Sequence, residues 1–455
     1  MIAVSLFISN FKGVRLMMKK NIKNMIACLA FCAVLAGCGK IFRYILVDDT
    51  AAYTRITFHE MYEKENIDVL FAGSSHCYRS FVPEIFDEEW GVTAFNAGTS
   101  SQKLDGSYMV IREAARYNDV QHVYLELYYE VAYDTYKART DMTQVYIISD
   151  YLKPSLDKIR YMLNASAKEY YPNSFIPARR NWTRFFDADY VKNLIAKKAT
   201  EAYKNYEYTY VTLDFEGYVG DGYVANMETV ADWNYFAAKG WDSINADDFS
   251  EDWVHSLEDI IAFCDKKGIS LTLISAPIPN YLLAGRNYDE YVELVQNLIE
   301  GTNVSYYDFN LCNEQFFPST SSLFADTDHL NCHGAETVSY LLAGLIKGEI
   351  AAEELFYDSY DEKLEALEPT VFGVSYHDCI NSNGEQIRKC KVVSTENENL
   401  EYEISILPTG GEVCKVQDFS DNRFFSIPQE EHGIIKILYR LSDSPDNIGT
   451  INVSY

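Results

Sequence analysis

The residues best suited to chemistry stand at two distant places in the chain. Gly73-Ser74-Ser75-His76 closes an apolar run, and Asp326-Thr327-Asp328-His329 lies far downstream. A serine hydroxyl is a poor nucleophile until a base removes its proton, and the base needs a carboxylate to orient it. Asp326 and His329 are three apart, so one short turn brings the carboxylate to one imidazole nitrogen and leaves the other facing outward. Asp328, adjacent to the histidine, is expected to point elsewhere. The predicted chemistry is acyl transfer, with Ser75 as nucleophile, His329 as base and Asp326 as its orienting group. His76 is the internal competitor for the base. Being next to the nucleophile, it is expected to point off the site or to contact substrate. His333 and Asn331 are read as the start of a helix, with Asn331 as its N-cap. Each motif alone is a weak signal, because many strand-to-helix turns read Gly-Ser-Ser and most lone histidines are structural.

These residues need a frame that brings them to one edge. "IDVLFAG" (67–73) is a short apolar run of the kind that forms a central parallel strand. "VTAFNAG" (92–98), "HVYLELYY" (122–129), "ISLTLIS" (269–275) and "NVSYYDF" (303–309) repeat the pattern. Helical spacing lies between them. After "VTAFNAG" it places Met109, Arg112, Glu113 and Arg116 on a polar face. Later, Ser250 precedes a stripe of Trp253, Leu257, Ile260, Ile261 and Cys264, which Lys266-Lys267-Gly268 ends. Strand, helix and strand in this order predict parallel βαβ units with helices on both faces. Such sheets build their sites at the carboxyl ends of the strands, where Ser75 and the Asp326–His329 turn would meet. Between the third and fourth strands lies an insertion (136–248) far beyond crossover length, a candidate lid or substrate wall. Its "ARRNWTRFF" offers Arg179 and Arg180 to an anionic substrate group, or to surface carboxylates. Residues 365–455 carry short β-branched and aromatic runs separated by turn residues, which predicts a β-sandwich-like domain.

Composition bounds the partners. The 455 residues carry 67 acidic against 39 basic side chains, a net charge of −28, so nucleic acid is excluded as a partner. Three of the ten cysteines lie in the N-terminal leader. The other seven (Cys77, Cys264, Cys312, Cys332, Cys379, Cys390, Cys414) show no metal-ligand spacing, and neither a metal nor an organic cofactor is expected. Cys379 and Cys390 are spaced for a local disulfide, which sequence alone does not establish.

The first 44 residues read as a targeting segment. From Met18 a basic stretch leads into a short apolar run and then Leu35-Ala36-Gly37-Cys38. This tetrapeptide resembles the bacterial lipobox, which implies acylation of Cys38. The rival is an uncleaved anchor that continues through "IFRYILV", although Lys40 and Arg43 make a continuous span awkward. Either fate places the remainder outside the cytoplasm.

Over residues 65–348 the chain resembles the SGNH (GDSL-like) hydrolases. Gly73-Ser74-Ser75 matches the first block and makes Ser75 the nucleophile. "FNAGTSSQ" (95–102) matches the second and makes the Gly98 N–H an oxyanion donor beside that of Ser75. Asp326-Thr327-Asp328-His329 matches the closing block. The resemblance is strongest to envelope members, those of teichoic acid D-alanylation and alginate-type O-acetylation. It implies a three-layer α/β/α domain (45–350) with a five-stranded parallel sheet, followed by the β domain. It further implies an extracytoplasmic esterase or O-acyltransferase. The implied partners are an envelope glycan or acylated small molecule, the membrane and, for a transferase, a membrane acyltransferase. The third block departs from the family: "YLELYYEV" (124–131) offers no asparagine, and losing one oxyanion donor costs about 2.7–4 kcal/mol. Tyr128 is the candidate substitute and, with His76, a candidate substrate contact. The departure keeps a second reading open, a non-catalytic glycan-binding or assembly module on the same fold.

Overall fold

The computed structural model describes residues 2–136, 139–207, 216–228, 238–239, 243–395, 399–429 and 432–455. Two compact units result, one formed by 53–167 with 210–455 and a smaller one formed by 1–52 with 168–209.

In the larger unit all five expected strands form one parallel sheet: β1 Val69–Ala72, β2 Ala94–Asn96, β3 His122–Glu126, β4 Ser270–Ser275 and β5 Ser305–Asp308. Their order is β2-β1-β3-β4-β5, so β1 lies between β2 and β3. All four residues of β1 are buried, as expected of a strand covered on both faces. Phe71, Tyr124 and Ile274 from three adjacent strands join Phe86, Phe324, Val338 and Leu342 in one apolar cluster. That cluster seats the helices Pro83–Trp90 and Cys332–Lys347 against the sheet. The helices Leu104–Tyr117 and Glu251–Lys267 pack against each other. Ser250 caps the latter by accepting from the Asp252 N–H, and Gly268 ends it at φ +70°. Met109 and Glu113, read as part of a polar face, are buried instead. The Glu113 carboxylate accepts from Tyr62 at 2.6 Å, a partner 51 residues away that local spacing does not reveal.

The C-terminal region forms two four-stranded sheets. One orders Phe424–Pro428, Gln386–Ser394, Val371–Ile380 and Ala238–Lys239; the other orders Cys414–Ser420, Leu400–Pro408, Gly433–Leu441 and Ser444–Ser454. Val374, Cys390 and Val392 from the first share a core with Tyr402, Ile404, Ile435 and Ile437 from the second. The pair Ala238–Lys239 comes from the insertion and adds to Val371–Ile380 in parallel. Cys379 stands opposite Ile387 and Cys390 opposite Tyr376, and both cysteines are free thiols.

In the smaller unit the N-terminal helix runs from Ile2 to Leu46 without a break at Leu35-Ala36-Gly37-Cys38. Its portion Ile22–Leu46 is long and apolar enough to cross a membrane. Residues 168–207 gather at its carboxyl end, where a helix leaves carbonyls unpaired. The Leu46 carbonyl accepts from Asn181 Nδ2 and the Tyr190 hydroxyl, both at 3.0 Å, and the Val47 carbonyl from Lys198 Nζ.

Candidate active site

β1 ends at Ala72, and Gly73 passes so close to β3 that a Cβ there would lie 2.5 Å from Glu126 Oε2. Only glycine fits. Ser74 then caps the helix Ser75–Ser80, its Oγ accepting from the His76 N–H at 3.2 Å. The Ser74 N–H and hydroxyl both donate to Glu126 Oε2, at 2.7 and 2.9 Å. Ser75 therefore stands at the first helical position, where the backbone N–H has no intrahelical acceptor.

The turn that carries the histidine is tied in several places. Asp326 Oδ1 accepts from the backbone N–H of Asp328 at 3.2 Å and of His329 at 2.9 Å. The Ala325 N–H donates to the His329 carbonyl at 2.8 Å, and the Tyr281 hydroxyl donates to the Thr327 carbonyl at 2.6 Å. Asn331 caps the following helix, Cys332–Lys347, as its position predicts, by accepting from the Gly334 N–H.

These two turns meet at the carboxyl edge of the sheet. His329 Nε2 lies 2.8 Å from Ser75 Oγ, and His329 Nδ1 lies 2.9 and 3.0 Å from the Asp326 oxygens. Asp328 departs from its expected orientation: its Oδ1 is 3.0 Å from the same Nδ1, and its Oδ2 is 3.8 Å from His76 Nε2. The tight turn folds both carboxylates onto one imidazole edge. Burial alone would lower the His329 pKa, but the two carboxylates outweigh it and hold the group up at about 10. Asp326 falls below the usual carboxylate range, because its bonds to His329 outweigh its own desolvation.

His76 is buried, stacks on the His329 ring at 4.7 Å and meets the Tyr128 ring at 4.2 Å with the planes tilted by 38°. Burial, and then the nearby charge of His329, push its pKa down to about 3, so it packs as a neutral ring against His329. His76, Asp328 and His329 also place one ligand atom each within 4.8 Å of one another, as a metal would need. The ring nitrogens of His329, however, already face Asp326 and Ser75.

Gly98 does not offer a free donor. Its N–H is bonded to Asn96 Oδ1 at 3.1 Å, because Asn-Ala-Gly folds as an Asx turn. Asn96 is itself fully buried, and its Nδ2 donates to the Cys77 and Phe81 carbonyls at 2.9 and 3.0 Å. It thereby ties the serine-bearing helix to β2. Arg179 and Arg180 belong to the smaller unit, where they donate to Asn173 Oδ1 and to the Asn173 carbonyl, each at 3.1 Å.

Sequence reasoning missed Asn96 and Glu126. The Asn-x-Gly spelling was the available signal for the first, and a lone carboxylate closing the apolar run "HVYLE" for the second. Burial pushes the Glu126 pKa up to about 7, and the bonds from Ser74 oppose it.

No family model matches this chain, and no curated protein matches it in sequence. Among solved structures it is similar to a two-domain esterase (CEX) active on acetylated mannans. That likeness has a TM-score of 0.27 and 9% identity, over 89% of this chain and 94% of the other. A second similarity is to an endo-beta-1,4-mannanase double mutant of Cellulomonas fimi, at TM-score 0.15 and 11% identity, over 90% and 99%.

Proposed function

We propose that this chain is an extracytoplasmic, membrane-tethered serine esterase or O-acyltransferase of the SGNH type, acting on acyl esters of an envelope polysaccharide or related glycan. The 2.8 Å approach of Ser75 Oγ to His329 Nε2, with Asp326 behind the ring, carries this reading. In the reaction His329 takes the Ser75 proton as Oγ bonds to the acyl carbon, and the Ser75 N–H donates to the developing oxyanion. Collapse breaks the ester bond, and His329 returns the proton to the leaving alkoxide. Water or a sugar hydroxyl then attacks the acyl-Ser75 ester by the same relay, which frees the serine. The His76 and Tyr128 rings, 4.2 Å apart beside His329, are the candidate substrate contacts. Arg179 and Arg180, placed on the insertion, belong to the membrane-proximal unit.

Tethering through acylated Cys38 belongs to the proposal. The unbroken helix Ile2–Leu46 favours a second fate, an uncleaved anchor. Incorporation of labelled fatty acid that disappears in Cys38→Ala distinguishes the two.

The test of function is turnover of p-nitrophenyl acetate by the detergent-solubilised full chain, compared with Ser75→Ala. Loss of turnover in the variant is the expected result. Equal rates from two folded proteins would discard the esterase and leave a dedicated transferase that needs its donor partner, or a binding module.

A further inference from the structure

The smaller unit carries a segment whose composition departs from the rest of the chain. Residues 168–209 hold eight Lys or Arg against five Asp or Glu, in a protein of net charge −28. Within that segment Trp182 is 58% exposed, Phe186 78% and Ile176 55%. Arg179, Arg180 and Arg184 alternate with these side chains, and Arg184 also meets Asp187 at 3.3 Å. An open apolar groove of about 1070 Å³ separates this stretch from the end of the N-terminal helix, and Ala36, Cys38 and Phe42 line its far side. Soluble surfaces rarely leave so much contiguous apolar area in water.

The position of the groove along the helix identifies what covers it. About 20 residues at ~1.5 Å each span a bilayer core of about 30 Å. Counted from Lys23, which closes the basic stretch, a crossing therefore ends near Arg43. The exposed aromatic stretch packs beside that same turn: the Phe185 ring lies 5.9 Å from Phe42, and Asn181 donates to the Leu46 carbonyl. Tryptophan and cationic side chains concentrate at this depth, where an amphipathic ring meets both hydrocarbon and headgroup.

We propose that residues 175–186 form an interfacial collar that seats in an anionic lipid bilayer beside the emerging helix. Trp182, Phe185 and Phe186 enter the acyl boundary, and Arg179, Arg180 and Arg184 take lipid phosphates. With acylated Cys38 the helix before it is removed, and the acyl chains would enter the same leaflet in its place, because Cys38 lines the groove. The collar is independent of the esterase reading.

The test reconstitutes the full chain into vesicles of phosphatidylethanolamine and phosphatidylglycerol carrying lipids brominated at the 6,7 or 11,12 acyl positions. Tryptophan quenching is then compared between wild type and Trp182→Phe. The expected result is stronger quenching by the shallow 6,7 bromines in wild type, lost in Trp182→Phe. Equal quenching of the two proteins would overturn the collar. The triple variant Arg179→Gln/Arg180→Gln/Arg184→Gln should lose quenching in phosphatidylglycerol vesicles while matching wild type in phosphatidylcholine. No difference in either lipid would remove the anionic headgroup from the proposal.

Discussion

Asp328 Oδ1 lies 3.0 Å from His329 Nδ1, as close as the Asp326 carboxylate at 2.9 and 3.0 Å, so two acids share one imidazole edge. A single N–H on Nδ1 makes its directional bond to Asp326, which the backbone N–H groups of Asp328 and His329 also hold. Asp328 adds negative charge without being fixed in the same way. The two acids should therefore fail differently when they are removed.

Asp326→Asn presents an amide to Nδ1 and favours the wrong tautomer. Esterase kcat/KM should fall by about 10³–10⁴-fold. Asp328→Asn should keep most of the activity at its optimum and move the pH profile to lower pH by about one unit. Parallel profiles on p-nitrophenyl acetate decide this. Equal losses in the two variants would refute the division of roles.

Wild-type activity should climb with pH through the neutral range. His329 must be neutral to accept the Ser75 proton, and its pKa is held up at about 10, so the competent fraction grows as pH rises toward that value. The rate at each pH, with the Ser75→Ala background subtracted, measures it. A plateau already reached at pH 7 would contradict two-acid stabilisation of the base.

Glu126 should make the protein less stable as pH rises. Its folded pKa, about 7, lies above the ordinary 4.5, so the native state holds a proton that the unfolded state gives up. Stability is then full below about 4.5 and declines up to about 7, by about 3 kcal/mol in all. Glu126→Gln keeps an acceptor for Ser74 and cannot ionise. Urea midpoints at pH 5 and pH 8 should fall for wild type and stay level for the variant. Parallel behaviour would show that another group controls this window.

Asn96→Ala should destabilise the fold by about 3 kcal/mol or more. It strands the Gly98 N–H and the Phe81 carbonyl, and leaves the Cys77 carbonyl with only its bond from the Phe81 N–H. Chemical denaturation measures the loss. A change below about 1 kcal/mol would mean that water replaces those bonds without cost.

Local pattern determined much of this protein. Short apolar runs marked all five parallel strands, two of them ending in glycine, because a strand covered by helices on both faces is mostly apolar. Ser250, Gly268 and Asn331 marked helix ends, because caps act within one turn. The order of Gly73-Ser74-Ser75 and Asp326–His329 pointed to acyl chemistry, and their meeting followed from the parallel sheet, which gathers strand ends at one edge. Tertiary structure alone decided the rest. It turned Asp328 toward His329, stacked His76 on the base, engaged the Gly98 N–H with Asn96 and tied Ser74 to Glu126. It also divided the insertion, sending 168–207 to the N-terminal helix and Ala238–Lys239 to a C-terminal sheet. The physical reason is range. Propensity, capping and periodicity act over a few residues and are written in neighbouring letters. A carboxylate's burial and a hydrogen-bond donor's partner depend on groups that the fold brings together from far along the chain.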